Sequence, residues 1–195
     1  MKHAFVAIVL GFLALAGPAV GSPVEVGQPA PTFALPDESG LQHSLTQYRG
    51  KVVVLEWTNP ECPFVQRHYT SKTMQKTLAA LGKQVVWLAI DSTYSNTPEK
   101  SAAWKKEQGF PYPVLQDPSG AVGHAYGAKT TPHMFVIDEH GVVRYAGAID
   151  DDPRGRSATP TNYVRQAVEA VETGKPVPAT TSAPYGCTVK YRANS

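Results

Sequence analysis

The stretch Lys51-Val52-Val53-Val54-Leu55-Glu56-Trp57-Thr58-Asn59-Pro60-Glu61-Cys62-Pro63-Phe64-Val65-Gln66-Arg67-His68 decides the fold. Val52 to Leu55 is a run of β-branched and apolar residues following Arg49-Gly50, the composition of a central strand covered on both faces. The run breaks at Asn59-Pro60. Phe64, Val65, His68, Tyr69 and Lys72 then recur at helical spacing. Cys62 stands at the seam with Pro63 directly behind it. Proline is favoured at the first helical position, so Cys62 reads as the N-cap of the helix that follows.

That placement has a chemical consequence. The free N–H groups and the positive dipole end of a helix N-terminus favour a thiolate over a thiol. Cysteines in such positions have pKa values lowered from about 8.5 to roughly 3.5–7.5. A thiolate attacks disulfides and peroxides, whereas a cysteine buried in apolar surroundings is inert. The strand, proline break, Cys-Pro pair and helix together favour the reactive reading.

Met1 to Gly21 reads as a secretory signal peptide rather than as part of the fold. Lys2 and His3 precede an apolar run from Ala4 to Ala16, followed by Gly17-Pro18 and the small-residue pattern Ala19-Val20-Gly21. The run is too short for a membrane span, so none is expected after cleavage near Gly21. Residues 22–175 then make one domain and 176–195 a C-terminal tail. A formal net charge of +2 without a basic block implies neither nucleic acid nor acidic lipid as partner. An exported chain, periplasmic or secreted, meets an oxidising environment in which a disulfide persists. The sequence holds two cysteines, Cys62 and Cys187.

Along the chain, Phe33 and Leu35 alternate, Asp37 to Gly40 supplies a turn, and Leu41, His43 and Leu45 return, which predicts an N-terminal hairpin. Leu45 to Tyr48 is a candidate helical turn. The Cys62 helix is expected to run on through Leu78 and Leu81 to a C-cap at Gly82. Val85 to Ile90 is a second buried strand, and Pro98 opens a helix stopped by Gly109. A short strand at Val114-Leu115 and a short helix at Ala121 to Tyr126 follow. The strand His133 to Ile137 turns at Asp138-Glu139-His140-Gly141 into Val142 to Ala148. Asp150 to Pro160 reads as a solvated loop, Thr161 to Thr173 as an amphipathic helix, and Tyr185 to Tyr191 as a small edge strand. The order predicts an α/β fold with a mixed central sheet flanked by helices.

These features resemble the thioredoxin superfamily, and within it the redoxin branch that includes the alkyl hydroperoxide reductase/thiol-specific antioxidant proteins. The resemblance covers roughly Val24 to Thr173. It rests on Gly27-Gln28-Pro29-Ala30-Pro31-Thr32-Phe33, the strand–Cys62-Pro63–helix seam, Thr131-Pro132 and the hairpin from Phe135 to Gly141. It implies a thioredoxin fold. It also implies that Cys62 is the nucleophilic first cysteine of a Cys-x-x-Cys, that Pro132 is a cis-proline facing it, and that Thr131 offers its backbone to a bound peptide. Glu56 matches the buried acid that moves protons. The residues agree on that last point, because a carboxylate in an apolar central strand has a raised pKa and is a proton acceptor for the thiol; an ion pair with Lys51 or Arg49 is the plainer alternative. The chain departs from the pattern in two ways. Val65 replaces the second cysteine of Cys-x-x-Cys. Leu55 and Asn59 stand where peroxiredoxins carry Pro and Thr, and the peroxide-binding arginine has Pro132 as its nearest counterpart; Thr58 is the nearest substitute hydroxyl.

Cys187 is therefore either a resolving cysteine on a mobile arm or one end of a structural staple worth about 2–4 kcal/mol. Four functions compete. The first is thiol–disulfide oxidoreductase, with Cys62, Cys187 and Glu56 in the chemistry and Thr131 and Pro132 at the substrate. The second is a thiol peroxidase acting through Cys62. The third is a copper-holding protein using Cys62, His68 or His133, and Cys187, against which stands the lack of any Cys-x₂₋₄-Cys or Cys-x₂₋₄-His clip. The fourth is a non-catalytic binding scaffold with Cys62–Cys187 as a permanent staple. His68 is expected to point away from the sulfur, His133 to approach it, and Trp57 to pack beside it. No cofactor motif is present. The expected partners are protein or small-molecule thiols and disulfides, peroxides, and a reducing partner.

Overall fold

A computed structural model describes residues 22–82 and 84–193; the expected signal peptide lies outside them. The core is a five-stranded sheet in the order β5-β4-β3-β7-β8, built from β3 (Val53–Trp57), β4 (Val86–Asp91), β5 (Val114–Gln116), β7 (His133–Ile137) and β8 (Val143–Gly147). β3 pairs parallel with β4 and antiparallel with β7, so the sheet is mixed, as the sequence predicts. All five residues of β3 are buried, as expected for the central strand.

The period-two alternation of β3 sorts the core into two layers. Val54 faces the layer holding Cys62, Val65, Tyr69, Trp87 and Met134. Val53, Leu55 and Trp57 face the other, with Phe33, Leu88, Phe135 and Ile137. The first layer is covered by α1 (Pro63–Thr70), α2 (Thr73–Leu81), α3 (Pro98–Gln108) through Trp104, and α5 (Tyr163–Glu172). The second is covered by α4 (Ala121–Tyr126) and by the N-terminal hairpin of β1 (Ala34–Pro36) and β2 (Gln42–Ser44). A 3-10 turn at Leu45–Tyr48 follows the hairpin.

Helix signals were sharpest at α3. Thr97 caps it, its side chain accepting from the Lys100 N–H, Pro98 opens it, and Gly109 at φ 66 closes it. The single helix expected from Cys62 to Gly82 is instead two. The chain breaks at Ser71-Lys72, and Lys72 adopts a left-handed φ of 59 as the N-cap of α2. The break lets α2 pack Met74 and Leu81 into the layer against α5. Lysine carries a steric cost of about 1–2 kcal/mol in that conformation. Lys72→Gly is expected to stabilise the protein by up to about 1 kcal/mol after glycine's extra unfolded-state entropy is counted, read as a higher urea midpoint.

Two further elements bear on the site. β6 (Thr130–Thr131) is an isolated strand just before Pro132, and it pairs antiparallel with β9 (Cys187–Thr188), the only part of the expected Tyr185–Tyr191 strand that forms a ladder.

Candidate active site

Cys62 is the N-cap of α1, with extended backbone angles and Pro63 at the first helical position, as the sequence predicts. The fold buries it to 1 % exposure between the end of β3, α1 and the tail. The Thr131–Pro132 peptide bond is cis, as the resemblance implied. The Cys62 thiol donates to the Thr131 carbonyl oxygen at 2.9 Å. Thr131 lies opposite Cys187 in the β6–β9 ladder, so the two cysteines meet at the mouth of α1.

The two sulfurs differ in acidity. Burial pushes the Cys62 thiol up. The donors around it outweigh burial, and its pKa falls below the ordinary value. First among them is the Cys187 thiol, then the side chain of Thr131, then the N–H groups of Val65 and Cys187. The Val65 N–H is aimed at the sulfur from the first turn without closing a cap hydrogen bond. The bond to the Thr131 carbonyl suits only the protonated form. On ionisation the Thr131 hydroxyl, buried and without a partner among the described residues, is the donor at hand. Cys187 moves the other way. Burial, then donation to Cys62 and the negative charge that develops there, push its pKa up to about 11, with Lys190 opposing. The inner sulfur is therefore the more acidic of the pair and the outer one the less acidic.

Glu56 lies in β3, fully buried. Burial lifts its pKa to about 7, against donation from Trp87 Nε1 at 2.9 Å and from the Tyr69 hydroxyl at 3.0 Å. Tyr69 in turn meets the Tyr112 hydroxyl at 2.9 Å. Neither Lys51 nor Arg49 pairs with Glu56 among the described residues, so the ion-pair alternative does not hold. Its carboxyl is occupied by the aromatic donors and by Thr58, and among the described residues no hydrogen bond joins it to Cys62.

Three sequence expectations need correction. Trp57 faces the opposite layer and donates to Ser92 Oγ at 3.1 Å. His133 alternates to that same face, its Nδ1 accepting from the Lys129 N–H at 3.2 Å, so it does not approach Cys62. Asp150 is buried rather than solvated, because it accepts from the Tyr185 hydroxyl. His68 is buried and engages the tail. Its Nε2 lies 3.0 Å from the Tyr185 hydroxyl, and burial, ahead of its charged neighbours, lowers its pKa to about 4. Among the described residues, no three His, Cys, Asp or Glu side chains converge as a metal cluster. Arg67 engages His68 and the rings of Phe64 and Tyr185 rather than the sulfur.

Nor is the tail a loose arm. Ser182 bonds the Tyr145 hydroxyl at 2.7 Å and the Ala148 N–H at 2.9 Å. Tyr185 is gripped by His68 and Asp150. Val189 is buried in the second layer, and its N–H reaches the Lys129 carbonyl. Tyr191 stacks on His124 at 4.1 Å and donates to the Ala128 carbonyl at 2.8 Å. These holds flank Cys187 on both sides, and local sequence patterns carried no signal for them.

The profile of the AhpC/TSA family matches residues 26–146. A Mycobacterium tuberculosis protein provisionally named a peroxiredoxin is 32% identical over 130 residues, covering 65% of this chain and 78% of that one. The thiol:disulfide interchange protein DsbE of Escherichia coli is 33% identical over 135 residues, covering 66% and 68%. The thiol-disulfide oxidoreductase ResA of Geobacillus thermodenitrificans is 33% identical over 128 residues, covering 62% and 68%. The crystal structure of a hypothetical protein from Sinorhizobium meliloti superposes with a TM-score of 0.77 at 29% identity, over 89% of this chain and 98% of that one.

Proposed function

The chain belongs to the AhpC/TSA family and is an oxidoreductase of thioredoxin fold, and we propose that it exchanges thiols and disulfides through Cys62 as nucleophile and Cys187 as resolving cysteine. The observation that carries this reading is the split acidity of two sulfurs brought together by a tail that non-covalent contacts already hold. A staple is redundant there, whereas an acidic thiol beside a less acidic one is a working pair.

Cys62 thiolate attacks one sulfur of a substrate disulfide. The substrate S–S bond breaks, a mixed disulfide forms on Cys62, and one substrate thiolate leaves. That step removes the negative charge that holds the Cys187 proton in place, so Cys187 becomes easier to ionise. Its thiolate then attacks the Cys62 sulfur, forms the Cys62–Cys187 disulfide and releases the second substrate thiolate. The substrate gains two electrons and the protein loses two, which a partner dithiol restores. Thr131 and Pro132 shape the edge over the nucleophile, and Glu56 is the buried proton store of the site. The leader-like residues 1–21 support export to a periplasmic or extracellular space. Among the described residues, no helix is long and apolar enough to cross a membrane.

The test is the reduction potential of the Cys62–Cys187 couple, measured by thiol trapping in glutathione buffers. A midpoint between about −120 and −270 mV is expected, and one below about −300 mV marks a permanent staple and overturns the resolving role. Peroxide reduction is the second reading. It draws on the peroxiredoxin-named relative and on Thr58, whose buried hydroxyl lies beside the Glu56 carboxyl. There Cys62 would take one peroxide oxygen as a sulfenic acid with release of water, and Cys187 would displace a second water to form the same disulfide.

A further inference from the structure

The strand edge at Thr130–Thr131 lies directly against the nucleophile, since the Thr131 carbonyl accepts from Cys62 Sγ. An exposed edge of this kind is where an extended polypeptide adds as a further strand. Here it is already filled. β9 pairs with it in antiparallel register, Thr130 opposite Thr188 and Thr131 opposite Cys187. In that register the tail delivers both an N–H and a sulfur to Cys62. Any extended polypeptide presenting a cysteine to Cys62 would need the same edge in the same register.

The fit of β9 is close at one residue. Gly186 has a φ of 147, and a Cβ built there would overlap the Thr131 carbonyl oxygen and lie 2.7 Å from its carbon and 3.2 Å from Pro132 N. The tail backbone therefore rests on the Thr131–Pro132 peptide itself. Beyond β9, the Tyr191 ring fills the space over two helix-start glycines. A Cβ at Gly120 would lie 2.6 Å from that ring, and one at Gly123 2.5 Å from its hydroxyl. Cys62 stays buried beneath this cover, and Cys187 is the partly exposed sulfur.

We infer that β9 is a built-in occupant of the polypeptide-docking edge, so that the site serves small-molecule disulfides and excludes polypeptide disulfides while the tail is seated, with Gly186 as the specificity-determining position. This rests on the thiol–disulfide reading above. A compact disulfide makes no strand pairing and so has no need of the Thr130–Thr131 edge, and Cys187 is the sulfur it meets first. A polypeptide must first lift β9, and so breaks the Gly186 seat and the Tyr191 anchor.

The experiment compares reduced wild-type protein with Gly186→Ala and Tyr191→Ala on two oxidants, insulin and the small aromatic disulfide 5,5′-dithiobis(2-nitrobenzoate). The ratio of the insulin rate to the small-disulfide rate is expected to rise about tenfold in both variants, as the open form gains population. An unchanged ratio in a variant whose circular dichroism matches wild type overturns the inference. A second readout needs no turnover: labelling of Cys62 by a polymer-linked maleimide, mapped by peptide mass. Slow labelling in wild type and faster labelling in either variant supports the covering strand; equal labelling in all three overturns it. If wild type fails to oxidise its own pair with the small disulfide, the thiol–disulfide reading falls, and the labelling result alone decides whether β9 covers the edge.

Discussion

Cys62→Ser is expected to abolish turnover with any disulfide, a loss of at least about 10⁴-fold, while Cys187→Ala retains the first half of the reaction. The reasoning starts from the asymmetry of the pair. The inner sulfur is surrounded by donors from α1, from Thr131 and from the tail, which hold it as the nucleophile. A serine hydroxyl at the same N-cap is far too weak an acid to be ionised by those donors, so no residual nucleophile remains. Removing Cys187 takes away the largest of those donors and the proposed resolving sulfur together. Cys187→Ala is therefore expected to show two changes at once. The pKa of Cys62, read from ultraviolet thiolate absorbance, rises. A mixed disulfide with substrate accumulates one-to-one on Cys62 and is visible as a mass adduct. If the Cys187→Ala protein turns over at the wild-type rate, Cys187 is not the resolver. If its Cys62 pKa does not move, the Cys187 thiol is not the donor that sets it.

Much of this site was legible in the sequence, and the part that was not has a physical reason. The buried run Val52 to Leu55, the Cys62-Pro63 seam and the capped helix from Pro98 to Gly109 are local signals, and each lies where its pattern put it. The helix break at Lys72 was hidden because Thr70-Ser71-Lys72-Thr73 contains no glycine or proline; packing of α2 against α5 bends the chain there, not propensity. Asp150 read as solvent-facing because its partner, Tyr185, is far away in sequence. The tail is the largest omission. Its ladder is two residues long, and its anchors at Ser182, Tyr185, Val189 and Tyr191 each depend on a surface built by a distant segment. The one local trace was Gly186 directly before Cys187, which has meaning only once Thr131 is seen above it.

Glu56→Gln is expected to remove a stability loss of about 3 kcal/mol that the wild-type protein suffers between pH 4.5 and 7. Burial, opposed by Trp87 and Tyr69, raises the folded-state pKa of Glu56 from 4.5 to about 7. The unfolded chain releases this proton near 4.5, while the folded one keeps it until about 7. Between those values the native state binds more protons than the unfolded state, so stability falls as pH rises, by about 1.4 kcal/mol per pH unit. Below 4.5 the contribution is fully present; above 7 the loss is complete and constant. Because His68, His133 and Asp91 also titrate in this range, the readout is the difference between the two proteins: Glu56→Gln, whose amide oxygen still accepts from Trp87 and Tyr69, should gain about 3 kcal/mol on wild type between pH 5 and pH 8 in urea unfolding. A difference that does not change with pH would show that Glu56 does not carry the slope. The same variant separates the two roles open to Glu56. As a proton store for Cys62 and Cys187, it should slow exchange and shift the pH-rate profile when replaced by glutamine. As a packing carboxyl held by aromatic donors, it should change only the unfolding curves.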